Sequence, residues 1–203
     1  MSADLLSLPP AVQAAVCNEV QPRERIVYAG QPSPRSALLP TLPIFIFGIA
    51  WMTFVIVWEG SAIGLSLGLW GRDQAGGDMP TLFGLGFTLF GLPFVLIGLG
   101  MLAAPLVAAV KAARSVHVVT DQRMFTLRAR PWRTVVSHFG QEITAIERTD
   151  GDGGRGHLKL SRGSARDSDG DLQEVYDWWR GIPEVRRAET AVRDLVKARS
   201  TAG

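Results

Sequence analysis

The chain has 203 residues, 21 basic and 19 acidic, for a net charge of +2, and one cysteine, Cys17. Between Ala37 and Val110 only Glu59, Arg72, Asp73 and Asp78 carry charge, so the near-neutral total hides an apolar block flanked by highly charged ends. That distribution excludes a disordered chain and a single uniform globule, and one cysteine excludes a disulfide-stapled secreted domain.

In chain order, residues 1–23 form an N-terminal segment. Within it, residues 9–20 predict a short helix starting at Pro9 or Pro10, with Val12, Ala15, Val16 and Val20 on one side. Residues 24–35 hold a first strand, Arg25 to Tyr28, leading into Ala29-Gly30-Gln31-Pro32. Two uncharged runs follow, 23 residues from Ser36 to Trp58 and 32 from Met79 to Val110. At about 1.5 Å per residue the shorter run reaches roughly 34 Å as helix, enough for a hydrocarbon core of ~30 Å. The expectation is two transmembrane helices, 37–58 and 79–104, the second using roughly Thr81 to Leu102, with Pro105 and Lys111 near its exit. Pro40, Pro43 and Pro93 each begin or kink a helix without removing a span.

The intervening residues 59–78 read as a periplasmic loop that starts apolar and glycine-rich and ends polar; residues 60–71 are either loop or a segment dipping into the membrane. Trp58 and Trp70 suit the water–lipid boundary, and Glu59 stands beside it. Arg23, Arg25 and Arg35 precede the first span and Lys111 and Arg114 follow the second, against the single Arg72 between them. That bias places both termini in the cytoplasm. No cleavable signal peptide is expected, because the first 36 residues lack an apolar core beside a basic start. In the second span Gly84, Gly91 and Gly98 recur every seven residues. Such a stripe admits close helix packing, against the first span of the same chain or against a second copy.

After Val110 the pattern changes to short alternating runs. Ser115–Thr120 meets Arg123–Ala129 across an Asp121-Gln122 turn, with Phe125, Leu127 and Ala129 on one face and Met124, Thr126 and Arg128 on the other. Further strands are expected at Thr134–Phe139, Glu142–Arg148, His157–Ser161 and Gln173–Trp179. Pro183 then opens a helix whose face, Val185, Ala188, Val192, Leu195 and Val196, runs to about Arg199. The fold class is therefore α+β: two transmembrane helices inserted in an antiparallel sheet domain, resumed at 111–199 and capped by a C-terminal helix.

No catalytic constellation is visible, and neither enzyme activity nor a cofactor is expected. Asp150-x-Asp152 and Asp167-x-Asp169-x-Asp171 resemble the start of a calcium loop, but Arg155 and Leu172 occupy the sixth positions and Ser161 and Trp178 the twelfth. His117, His138 and His157 are spread apart without cysteine partners, which disfavours zinc. Cys17 lacks a catalytic signature, and no serine elbow or phosphate-binding Gly-Lys loop occurs. A basic cluster, Arg123, Arg128, Arg130 and Arg133 with Trp132, is the candidate lipid-facing surface. It either binds a head group or is a surface that tolerates the bilayer, with Arg128 and Arg130 expected on the outward side of their strand. Trp178, Trp179 and Arg180 are the candidate partner-facing residues; alternation sends one ring inward, and local packing is the other reading. Nucleic acid is disfavoured because the Asp-rich loop repels phosphate.

The chain resembles the bacterial membrane proteins that join a pleckstrin-homology-like domain to a pair of transmembrane helices. The residues are Val27-Tyr28-Ala29-Gly30-Gln31-Pro32, Thr120-Asp121-Gln122-Arg123, Glu142-Ile143-Thr144-Ala145-Ile146-Glu147, Gly154-Arg155-Gly156-His157-Leu158 and Gly181-Ile182-Pro183-Glu184-Val185, in that order. The resemblance implies a bent antiparallel sheet closed by a C-terminal helix, and supplies no reaction. The expected function is that of an inner-membrane protein presenting a cytoplasmic module to a protein partner or to an assembling membrane complex. Membrane lipids and a second copy, through the spans, are further expected contacts. The alternative is a sensor of anionic lipid head groups; a transporter is disfavoured because two helices with no ionisable residue beyond boundary Glu59 are too few.

Overall fold

A computed structural model describes residues 3–67, 69, 79–129, 133–166 and 171–200. The chain divides into two compact units, residues 1–39 with 108–203, and residues 40–107.

Among the described residues, the first unit holds seven strands in two antiparallel sheets. β1 (Ile26–Gly30), β2 (Ser115–Thr120), β3 (Met124–Arg128) and β4 (Thr134–His138) pair in that order, and β5 (Ala145–Asp150), β6 (Gly156–Arg166) and β7 (Leu172–Ile182) form the second sheet. β1 pairs with β2 in the register Tyr28↔Val119 and Gly30↔His117, so residues on both sides of the apolar block share one sheet. α1 (Ala3–Leu6), α2 (Pro10–Cys17), α3 (Pro34–Leu38) and the C-terminal α6 (Val185–Ser200) complete this unit. The fifth strand starts at Ala145 rather than Glu142, because Gly140–Glu142 forms a 3-10 turn in which Glu142 Oε1 accepts from the Phe139 N–H at 3.3 Å.

Alternation along β2 and β3 divides the first sheet into two apolar faces. Val116, Val118, Phe125 and Leu127 meet Leu5, Leu8, Val12 and Val16 of the N-terminal helices. Val119 and Met124 meet Leu158, Leu160, Trp179, Ile182 and the inner face of α6. The partner of the residue 9–20 helix is thus the outer face of the first sheet.

The motifs of the sequence meet at joints of this unit. Tyr28 donates from its phenol to the Pro183 carbonyl at 2.7 Å, and its ring crosses Gly30, where a Cβ would fall 2.0 Å from the phenol oxygen. Ser33 N–H donates to Gly181 O at 3.0 Å, Arg155 donates to the same carbonyl at 2.9 Å, and His157 Nδ1 accepts from Gly181 N–H at 3.1 Å. Gly181 turns with φ of 61°, and a Cβ there would lie 2.1 Å from Ser36 Oγ. Glycine meets both demands, a left-handed backbone and no side chain.

The second unit is built on two long helices, α4 (Leu42–Ser66) and α5 (Met79–Ala113), the latter passing into the first unit at its end. Both are long and apolar enough to cross a membrane. α4 runs past Trp58 to Ser66, farther than the charge boundary at Glu59 suggested, so Trp58 and Glu59 lie about two turns inside its end. The small, uncharged residues Gly60-Ser61-Ala62 continue the helix instead of breaking it. α5 likewise continues through Pro93 and Pro105 to Ala113.

Gly84, Gly91 and Gly98 are buried against α4. A heptad stripe on α4, Gly48, Val55 and Ala62, faces inward with them. Trp51 Nε1 joins the pair by donating to Phe94 O at 3.1 Å. A Cβ at Gly84 would strike Ser66 N at 2.5 Å and Ala62 O at 2.8 Å, both backbone; at Gly91 it would meet the movable Glu59 carboxylate. Gly84→Ala is therefore expected to cost about 1–3 kcal/mol of helix pairing, and Gly91→Ala much less. Thermal unfolding in detergent checks the order, and equal costs at the two positions would contradict it.

Candidate functional site

Between the two sheets of the first unit lies a cavity of about 330 Å³. Its walls include Lys111 from the last turn of α5, His117, Thr126 and Arg128 from β2 and β3, His138 from β4, and Asp177 to Arg180 from β7. The register explains the convergence. His117 pairs with Thr126, Ser115 with Arg128 and Met124 with His138, which puts these side chains on the sheet face opposite Phe125 and Leu127.

His117 is the most constrained group. Its Nδ1 lies 2.9 Å from Thr126 Oγ1, and its ring stacks on Trp179 at 4.7 Å between centroids with 19° between planes. Burial pulls its pKa down to about 3, so the imidazole is neutral at physiological pH. Between pH 6.5 and about 3 the unfolded chain binds a proton that the folded chain does not. Stability is therefore fully present above pH 6.5 and falls as pH drops, by about 1.4 kcal/mol per unit for this one group. Acid unfolding of His117→Gln should show a slope shallower by that amount; an unchanged slope would exclude His117 as the cause.

His138 sits between two carboxylates, with Nδ1 3.0 Å from Glu142 Oε2 and Nε2 2.9 Å from Asp177 Oδ2. The second is an ion-pair distance without hydrogen-bond alignment. Arg162 Nε also approaches Asp177 Oδ2, at 3.4 Å. The Glu142 carboxyl is raised by burial but ends below its usual range, because His138 and the Phe139 N–H hydrogen-bond to it.

The basic cluster is dispersed. Arg123 is engaged within the unit: its Nε donates to Glu24 Oε1 at 2.9 Å, Nη1 donates to Ser137 Oγ at 3.0 Å and Nη2 to Glu19 O at 3.0 Å. Its side chain is 14% exposed and that of Glu24 1%, so this is a buried pair that locks the β2–β3 hairpin to the chain before β1. Arg133 is exposed and pairs with Glu19 at 2.6 Å. Arg128 is exposed but lies on the face turned toward the second sheet, not outward, because the N-terminal helices occupy the opposite face. Arg130 and Trp132 lie outside the described residues. Comparison with protein-family models, with curated proteins and with solved structures finds no match.

The two tryptophans of β7 separate as alternation requires. Trp179 is 2% exposed, in the core; Trp178 is 40% exposed on the outer face. There Arg180 lies over the Trp178 ring at 5.2 Å, Trp178 meets Tyr176 edge-on at 6.2 Å, and Lys159 Nζ lies over Tyr176 at 4.9 Å. This cation–aromatic row was only half visible in the sequence. Tyr176 stands two positions from Trp178 on the same strand face, whereas Lys159 enters through the register Lys159↔Trp178.

Among the described residues, no three His, Cys, Asp or Glu side chains gather as a metal site. Asp167 and Asp169 of the acidic run lie outside the described residues.

Proposed function

We propose that the chain is an integral protein of a bacterial inner membrane, anchored by α4 and α5 as a hairpin with both termini in the cytoplasm. Its sheet unit acts as a pleckstrin-homology-like module that binds a protein partner. The membrane reading draws support from apolar side chains that protein does not cover. Only 11% and 6% of the most apolar windows of the two helices are buried, and Ile46, Phe54, Val57, Leu96 and Leu106 are each more than 60% exposed. In water such faces are unfavourable at about 25 cal/mol per Å², whereas hydrocarbon covers them without cost. Two antiparallel sheets with a C-terminal helix packed against them agree with the pleckstrin-homology-like reading.

The observation that carries partner binding is the row Arg180, Trp178 and Tyr176, exposed on the outer face and backed by the half-buried Lys159. Clustered aromatic and arginine side chains, held rigid by one another, are the residues that dominate protein interfaces. A photoreactive amino acid at position 178 of the full-length protein, in its own membrane, should yield one discrete crosslinked species. The same group at Arg23, which is exposed elsewhere in the unit, should not. Identical adducts at both positions, or none at 178, would contradict the reading.

A further inference from the structure

The geometry points to a hollow between α4 and α5 as a binding site for a small organic ammonium cation, held by the Glu59 carboxylate and by aromatic rings. The cost of leaving that carboxylate bare rests on the membrane reading above; the lining of the hollow and the free oxygen do not.

Glu59 is the one acidic residue of α4, and its carboxylate lies against α5. Its Oε1 occupies the space that a Cβ on Gly91 would fill, and it is buried without a hydrogen-bond partner among the described residues. The donors of the helix pair are committed elsewhere. Thr53, Ser61, Ser66 and Thr88 each donate to a carbonyl one turn back in their own helix, within 3.0 Å, and Trp51 Nε1 is taken by Phe94 O. In the sequence between Ser36 and Val110 the single basic residue is Arg72, which lies outside the described residues. A carboxylate surrounded by hydrocarbon is costly unless an opposite charge or a proton neutralises it, and an ionisable residue in a spanning helix marks a binding site more often than a structural one.

Gly91 also floors a hollow of about 240 Å³, whose other walls are Phe54, Val55 and Trp58 of α4 and Phe90 and Phe94 of α5. The carboxylate therefore lies at the wall of an aromatic chamber. Phe87 meets Trp58 edge-on at 5.5 Å between centroids, and Phe90 lies 5.3 Å from Phe94, so the rings hold one another in place. Ring faces attract an organic cation, most strongly for tryptophan and away from water. A hard metal ion is poorly served, because it needs several oxygen ligands and the lining side chains carry none. The volume lies below the ~300 Å³ at which drug-sized pockets begin, which suits a compact head such as trimethylammonium. Phe54 and Phe90 are each 61% exposed, so an apolar tail can run out between them into hydrocarbon.

The test uses full-length protein in a neutral detergent and radiolabelled phenyltrimethylammonium, read by equilibrium dialysis. The competitor is tert-butylbenzene, which has the same shape with carbon in place of the charged nitrogen. The parent should bind the cation saturably, and the neutral isostere should not displace it. Glu59→Gln, which keeps the size of the side chain, should weaken binding at least about 30-fold, and Trp58→Leu about tenfold. The control Asp194→Asn, at an exposed acid of α6, should bind as the parent does, and so should Arg72→Gln. Displacement by the isostere, equal binding by parent and Glu59→Gln, or tighter binding by Arg72→Gln, which would assign Glu59 to Arg72, would overturn the proposal. The isostere comparison needs no variant, so it stands whatever the substitutions do to folding. Binding in micelles requires no bilayer, so a negative result bears on this site and leaves the crossing of α4 and α5 to a separate topology test.

Discussion

Arg123→Ala in the full-length protein is expected to lower the stability of the sheet unit by about 3–5 kcal/mol, the cost of leaving a buried charge without its partner. The stranded group is Glu24. Burial pushes its carboxyl pKa up, and hydrogen bonds from Arg123, the Gln21 N–H and Thr120 more than reverse that push, holding it below the usual range. Without the guanidinium, the Thr120 bond at 2.8 Å and the Gln21 bond at 2.9 Å remain, too little to hold an anion whose side chain is 1% exposed. The loss should also depend on pH. A depressed carboxyl contributes stability above its unfolded pKa near 4.5 and loses it as pH falls, so parent and variant should converge in acid. Replacing both partners with apolar residues should cost much less than Arg123→Ala, since no charge is then stranded. Chemical denaturation of the single and double variants checks this, and a surface-like cost below 1 kcal/mol for Arg123→Ala would show that the pair is solvated.

Trp179→Ala should cost about 3–5 kcal/mol, as for other buried aromatic truncations, whereas Trp178→Ala should cost about 1 kcal/mol or less. The neighbours differ in what surrounds them. Trp179 loses its stack on His117 and its packing against Leu158, Ile182 and α6. Trp178 loses only Arg180 and Tyr176 on an exposed face. Partner binding should reverse the order, with Trp178→Ala removing 2 kcal/mol or more of affinity if this residue anchors the interface. Comparable unfolding costs at the two positions would contradict the assignment of faces.

Alternation along β3 separated Phe125 and Leu127 from Thr126 and Arg128 in the sequence itself. What alternation could not tell was which face would meet the second sheet. The apolar face of residues 9–20 was the clue: Val12 and Val16 need a cover, and they find it on Phe125 and Leu127. That choice turns Arg128 inward. The ion pair of Arg123 was not legible for a related reason, since its partner Glu24 lies about a hundred residues earlier in the chain and local patterning carries no sign of it. Charge counts located the two long helices, but α4 runs on past Glu59 to Ser66, because a charged residue bounds an uncharged run without ending a helix. Gly84, Gly91 and Gly98 were legible as a stripe; that their neighbours are Ser66, Glu59 and Met52 emerged only when the chain was folded.

The central claim is that two membrane-spanning helices interrupt one cytoplasmic unit, whose β1 and β2 pair across the interruption. Labelling with a membrane-impermeant maleimide tests it most directly, because Cys17 is the single cysteine and is exposed on the sheet unit. In intact bacterial cells with a permeabilised outer membrane, Cys17 should stay unlabelled until the inner membrane is broken. On a Cys17→Ala background, Ala75→Cys in the polar stretch between the helices should label at once. Labelling of Cys17 from outside, or equal labelling at both positions, would contradict the account.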